Sequence, residues 1–183
     1  MRYWSIFCVL FFPTVVFAGD KLTPRPLDPL SVETLAHAIE RSSIARTLIE
    51  HLESSNVIVH IESAAPLPYG IGGMTRFVTS RGGYRYLRIT LAAALPLGQR
   101  SAILAHELQH AWEVARSPAT NVEEIKRLFE NEGHRASEYG EYYETRAAIE
   151  IERSVRMELT AGRALRPGSG QALQTEPVVK FDH

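Results

Sequence analysis

Residues 102–115, AILAHELQHAWEVA, constrain this chain more than any other stretch. On a helix, positions four apart lie about 40° apart around the axis. His106 and His110 therefore project side by side, one turn apart, at the spacing at which two imidazoles ligate one metal ion. Glu107 is rotated about 100° from His106 and about 60° from His110. It can reach a metal-bound water without ligating the metal, as a general base must. Leu104, Leu108, Ala111, Trp112 and Ala115 fall on the opposite side of the wheel. The pattern predicts a helix over about 99–116, with a core face behind and a histidine face in front. Any fold that accepts it must pack the first face and bring a further ligand to the second.

A catalytic zinc site uses three protein ligands and keeps one position open. A third histidine in the pattern His-x-x-Gly-x-x-His is excluded, because Glu113 stands at the Gly position and Arg116 at the last His position. Cysteine is excluded too: the single Cys, Cys8, lies in the N-terminal apolar run. The remaining source is a later segment, EYGEYYETRAAIEIERSVRMEL. Its periodicity predicts a helix from about Glu141 to Ala161, with Ala148, Ile151, Val155 and Leu159 as an apolar stripe. Glu144 falls at the centre of that stripe, and a carboxylate there is costly unless it is paired or metal-bound. Glu144 is thus the first candidate for the third ligand, ahead of Glu141 on the stripe's shoulder and His134 in the preceding loop.

The N-terminus has its own signature. One Arg precedes an apolar run from Tyr3 to Phe17, closed by Val16-Phe17-Ala18. This is the layout of a secretory signal peptide, 1–18, cleaved after Ala18. The run is shorter than the roughly 20 residues of a spanning helix. The expected product is exported, periplasmic or secreted, with no stable membrane span and no cysteine, so any metal must be held by His, Asp or Glu. The 183 residues carry a net charge of −1 with no long charged block, which excludes a nucleic-acid partner on charge grounds.

The expected fold is α+β. Residues 19–28 form an extended proline-rich segment. Asp28-Pro29 reads as an N-cap followed by Pro at the first helical position, opening a helix over about 29–54. NVIVHIE (56–62) reads as a strand. MTRFVTS and YRYLRITL flank Arg81-Gly82-Gly83 as a hairpin. In the second of these strands Leu87, Ile89 and Leu91 alternate with Tyr86, Arg88 and Thr90, giving a half-buried antiparallel strand. The motif helix follows, then a helix capped from Thr120 or Asn121, then the helix bearing Glu144. The sheet is expected to be small and mostly antiparallel, the domain to span 29–162, and the tail 163–183 to be disordered.

These motifs resemble the zincin metallopeptidases, and within them the gluzincin branch. There a pattern like His106-Glu107-Leu108-Gln109-His110 is followed by a helix bearing Glu-x-x-Ala, here Glu144-Thr145-Arg146-Ala147. The resemblance implies a minimal zincin-like domain with Zn2+ held by His106, His110 and Glu144. It implies that Glu107 takes a proton from the zinc-bound water and passes it to the leaving amine. It also implies that the YRYLRITL strand pairs with an extended peptide or protein substrate. Arg88 and Tyr143 are the candidate substrate-binding residues, and Tyr139, Tyr142, Tyr143 and His134 the candidate oxyanion donors. Many gluzincins carry an Asp after the glutamate to orient a histidine; Ala148 stands there, so Glu113 is the candidate substitute. The competing reading is a catalytically weak or inactive zinc-binding module of the cell envelope that recognises peptides or assembles with partners.

Overall fold

The structure is a computed structural model that describes residues 23–135 and 143–164. The signal-peptide assignment (1–18), Glu138, Tyr139, Glu141, Tyr142 and the tail beyond 164 lie outside the described residues. The chain is α+β. Strand β1 (Arg25–Pro26) leads into helices α1 (Pro29–Arg41) and α2 (Ser43–Glu53). Strand β2 (Val57–Ala64) and a one-turn 3-10 helix (Pro68–Gly70) precede the hairpin of β3 (Gly73–Arg81) and β4 (Tyr84–Ala92). Helix α3 (Leu97–Arg116) carries the histidine motif. Helix α4 (Val122–Glu132), the short pair β5 (His134–Arg135) and β6 (Tyr143–Glu144), and helix α5 (Arg146–Ala164) complete the domain.

Local signals explain most of these boundaries. Asp28 caps α1, accepting from Ser31 N at 2.9 Å, while Pro29 takes the first turn. The second carboxylate oxygen of Asp28 accepts from Ser63 N at 2.7 Å, so the same cap ties α1 to β2. Asn121 caps α4 through Glu124 N. Gly82 and Gly83, at φ 61° and 81°, make the two-residue turn of the hairpin, a left-handed pair that glycine adopts without strain.

Four expectations are corrected. The helix expected over 29–54 breaks at Ser42, whose backbone is extended. That residue closes α1 and caps α2, and its hydroxyl meets the Glu158 carboxylate of α5; nothing in the local pattern announces a contact from so far along the chain. The proline-rich segment is not merely a surface stretch, since β1 pairs in parallel with β2. The sheet is mixed rather than mostly antiparallel. Its order is β1-β2-β4-β3, with β2 and β4 parallel and only β3 and β4 antiparallel. Strands β2 and β4 are therefore central, with the short β1 at one edge and β3 at the other. Finally, α5 starts at Arg146, not near Glu141, and Glu144 lies on β6.

One face of the sheet carries the core. Val57, Val59, Ile61, Leu87, Ile89 and Leu91 pack with residues of all five helices in one apolar cluster, including Leu35, Leu52, Leu104, Ile125 and Val155. At its centre lies α3, buried along almost its whole length. Two buried arginines pin it. Arg100, near its start, donates to Thr34 Oγ1 (3.0 Å), Leu95 O (2.7 Å) and Glu33 (3.0 Å). Arg85 of β4 donates to the carbonyls of Val114, Ala115, Ser117 and Ala119 and to the Asn56 side chain. Val114, Ala115 and Ser117 lie at the C-terminus of α3, where carbonyls run short of intrahelical donors and a cation also meets the negative end of the helix dipole.

Replacing Arg85 by Met should leave several buried carbonyls unpaired. The expected loss is about 2–4 kcal/mol in urea unfolding, and Arg85→Lys should recover only part of it, because an ammonium cannot reproduce the planar fork.

Candidate metal centre

Helix α3 presents both histidines on the side facing β6 and α5. The ring nitrogens Nε2 of His106 and His110 lie 3.1 Å apart. Oε2 of Glu144 lies 2.9 Å from the first and 4.0 Å from the second. Both histidines are 6% exposed. A tetrahedral zinc ion would set its nitrogen ligands about 3.3 Å apart, so the two imidazoles already have a chelating spacing. The three groups could hold a metal ion.

The fit rests on more than proximity. Oε2 of Glu144 is buried without a hydrogen bond: its distance to His106 suits one, but its direction does not. The two Nε2 atoms meet each other and Glu144 Oε2 is left without a hydrogen bond, so a cation among the three would take the place of the shared proton and meet a donor from each residue. The far nitrogens of the rings face carboxylates. Glu113 Oε2 lies 3.0 Å from His110 Nδ1, and Glu152 Oε2 lies 3.1 Å from His106 Nδ1, off the ring's N–H direction. A carboxylate behind an imidazole fixes the ring and strengthens the other nitrogen as a ligand. Phe129 of α4 closes one side, edge-on to His110 at 5.3 Å between centroids.

Glu113 is itself held. It accepts from Thr145 Oγ1 at 2.7 Å and from Gln109 Nε2 at 3.2 Å. Those bonds, with His110, keep its carboxyl below the usual range despite burial. Thr145 also accepts from Ala148 N at 3.1 Å, which caps α5. The residue next to Glu144 therefore locks the start of α5 onto α3.

Glu144 reaches the site from a strand. In the β5–β6 ladder it pairs with His134, and Tyr143 pairs with Arg135. Gly133 makes the approach feasible: a Cβ there would sit 2.6 Å from the Glu144 carbonyl oxygen and 3.0 Å from that of Phe129. Sequence periodicity placed Glu144 on a helix because Ala148, Ile151, Val155 and Leu159 do form an inward stripe; Thr145 caps that helix, which begins at Arg146, two residues after Glu144.

Glu107 is 5% exposed and points toward the sheet, where Thr75 Oγ1 of β3 donates to its Oε2 at 2.7 Å. Gly73 leaves the room: a Cβ there would stand 2.9 Å from Oε1. Burial pushes this carboxyl above its ordinary range, while the charges of His110 and His106 and the Thr75 bond pull it down.

Two candidates are displaced. Arg88 lies on the outer face of the sheet beside Glu62, away from α3, because its neighbours Leu87 and Ile89 take the inward positions. Tyr143 alternates with Glu144, and its hydroxyl donates to Glu130 of α4 at 3.1 Å rather than facing the metal ligands. His134 is exposed and stays outside the ligand group. Glu152, at the edge of the α5 stripe, and Thr75 and Thr145 are site neighbours that the sequence does not announce; nothing in their local spacing marks them. No family model, curated protein or solved structure matches the chain.

Gly133→Ala should shift Glu144, since a backbone oxygen cannot yield as a side chain can. Metal affinity, read by competition with a chromophoric chelator, should fall about 10-fold or more with little change in helix content.

In the metal-free protein burial opposes charge on His106, but Glu144 and Glu152 outweigh it and raise its pKa from 6.5 to about 10. A raised folded-state pKa contributes stability that is complete below about pH 6.5 and lost as pH rises toward 10. The metal-free chain should therefore lose stability from pH 6.5 to 10, measured by urea unfolding. The metal-loaded chain should not, because the ion takes the proton's place.

Proposed function

We propose that this protein is an exported zinc-dependent metallopeptidase. The observation that carries the reading is the convergence of His106 Nε2, His110 Nε2 and Glu144 Oε2 beside a second carboxylate, Glu107, which stays outside that group and is held by Thr75. Two imidazoles and one carboxylate are the donor set of catalytic zinc sites with an open position. A bound zinc ion would supply Lewis acidity toward water and toward a carbonyl oxygen.

The chain's own residues carry the rest. Glu107 accepts a proton from the attacking water as that oxygen bonds to the peptide carbonyl carbon. It returns the proton to the amine nitrogen as the C–N bond breaks. A cation next to Glu107 lowers its raised pKa and keeps it a base. Glu113 and Glu152 hold the two imidazoles in orientation. The substrate strand is assigned to the edge of β3 rather than to β4, whose two edges are both occupied. Thr75 of that edge strand already touches Glu107, so a peptide paired along it would run past the general base. His134, across the ladder from Glu144, is the available donor for a developing oxyanion.

Metal analysis of the purified protein should find about one zinc per chain, lost in His110→Ala and bound about 10-fold or more weakly in Glu144→Ala. Glu107→Gln should keep the zinc and lose about 10²- to 10⁴-fold in peptide cleavage. A chain that takes up no zinc on reconstitution would overturn the metal reading. Full cleavage by Glu107→Gln would overturn the assignment of the base.

A further inference from the structure

The face of the sheet turned away from the helices carries a row of basic side chains that the metal site does not use. The register aligns one residue from each of the four strands: Arg25 of β1 with His60 of β2, His60 with Arg88 of β4, and Arg88 with Arg76 of β3. Residues paired across neighbouring strands share a face, so these four form one line of about 14 Å at strand spacings of about 4.8 Å. None of them belongs to the apolar cluster that all five helices share; on this face Ile58, Met74 and Thr90 are buried between the strands' longer side chains, Glu62 and Tyr86 are half-buried, and the arginines are what the face exposes. Among the described residues, the helices stand on the other face.

Like charges directly opposite each other destabilise a sheet. Arg76 and Arg88 are such a pair, and Arg25 completes three cations in a row. Arg25, Arg76 and Arg88 are all exposed. Among the described residues one carboxylate answers them: Glu62 lies 3.8 Å from Arg88, at the long end for an ion pair, and accepts from the Thr90 hydroxyl. Burial and the charges of Arg25 and Arg88 hold His60 below its ordinary pKa, so it adds no fourth charge near neutrality. The row keeps a net positive charge on a chain whose overall charge is −1.

We propose that this face docks on an anionic lipid bilayer. Three observations choose that occupant. The cations lie along a line on a flat sheet face rather than lining a cleft, and arginine matches phosphate with its planar fork. Leu27, which continues the β1 ladder through its N–H to Ile61 O, is 54% exposed, an apolar contact beside Arg25. The apolar run Tyr3 to Phe17 also precedes β1 closely in sequence, so a chain still held by that run meets the membrane with this strand first. Docking in this way leaves the metal ligands on the far side of the sheet, turned toward the aqueous phase and its substrates.

The test is co-sedimentation with vesicles, comparing the full chain with Arg25→Gln/Arg76→Gln/Arg88→Gln. One vesicle set is phosphatidylcholine alone; the other contains about one-third phosphatidylglycerol. Contact through the N-terminal apolar run is the same in both proteins and insensitive to lipid charge, so the readout is the preference for anionic over neutral vesicles. The parent should show that preference at low salt and lose it at high salt. The triple variant should lose about 100-fold of it, the sum of three surface arginines. Zinc binding, retained by the variant, controls for folding and separates this proposal from the peptidase reading. No anionic preference in the parent would overturn the proposal, as would an unchanged preference in the variant. Binding to soluble polyphosphate without any vesicle preference would reassign the face to a dissolved polyanion.

Discussion

Burial of α3 on nearly every side forces each polar group it carries to find a partner inside the protein. Arg100 and Ser101 find theirs on α1 and the loop before α3. The carbonyls at the far end are met by Arg85. Glu107 finds Thr75, Gln109 finds Glu113, and Glu113 finds Thr145 and His110. What remains after these pairings is the pair of Nε2 atoms, in contact only with each other and with Glu144, and the Glu144 Oε2 atom of β6, which has no hydrogen bond. Those three atoms are the ones that could hold a metal ion.

The carboxylates around the motif divide by what lies behind them. Glu113 and Glu152 face the far nitrogens of the two rings, Glu144 faces the near ones, and Glu107 faces the sheet. The absence of an Asp after Glu144 is thus answered twice, from α3 and from α5. Thr145 links the two halves of the arrangement: its hydroxyl serves Glu113 and caps α5, while its neighbour in the chain is Glu144.

The two-layer architecture assigns different work to its two surfaces. Helices on one face enclose the histidines, and β3 at the edge touches the general base of the proposed reaction. The opposite face keeps a line of arginines that no described helix covers. The mixed order of the sheet produces both features, because inserting β4 between β2 and β3 makes β3 the free edge and aligns Arg25, His60, Arg88 and Arg76 across all four strands.

The sequence by itself determined the motif helix, its inward stripe, the α1 cap at Asp28 and the glycine turn. Each depends on periodicity or on a residue acting within a few positions of itself, which one chain can display. Only the tertiary structure decided the break at Ser42, the strand that delivers Glu144, the parallel pairing of β2 with β4 and the approach of Glu152 to His106. Those depend on residues tens to more than a hundred positions apart, such as Ser42 with Glu158 and Glu107 with Thr75. Local spacing carries no record of them, because which carboxylate faces which ring is set by how the helices pack around α3.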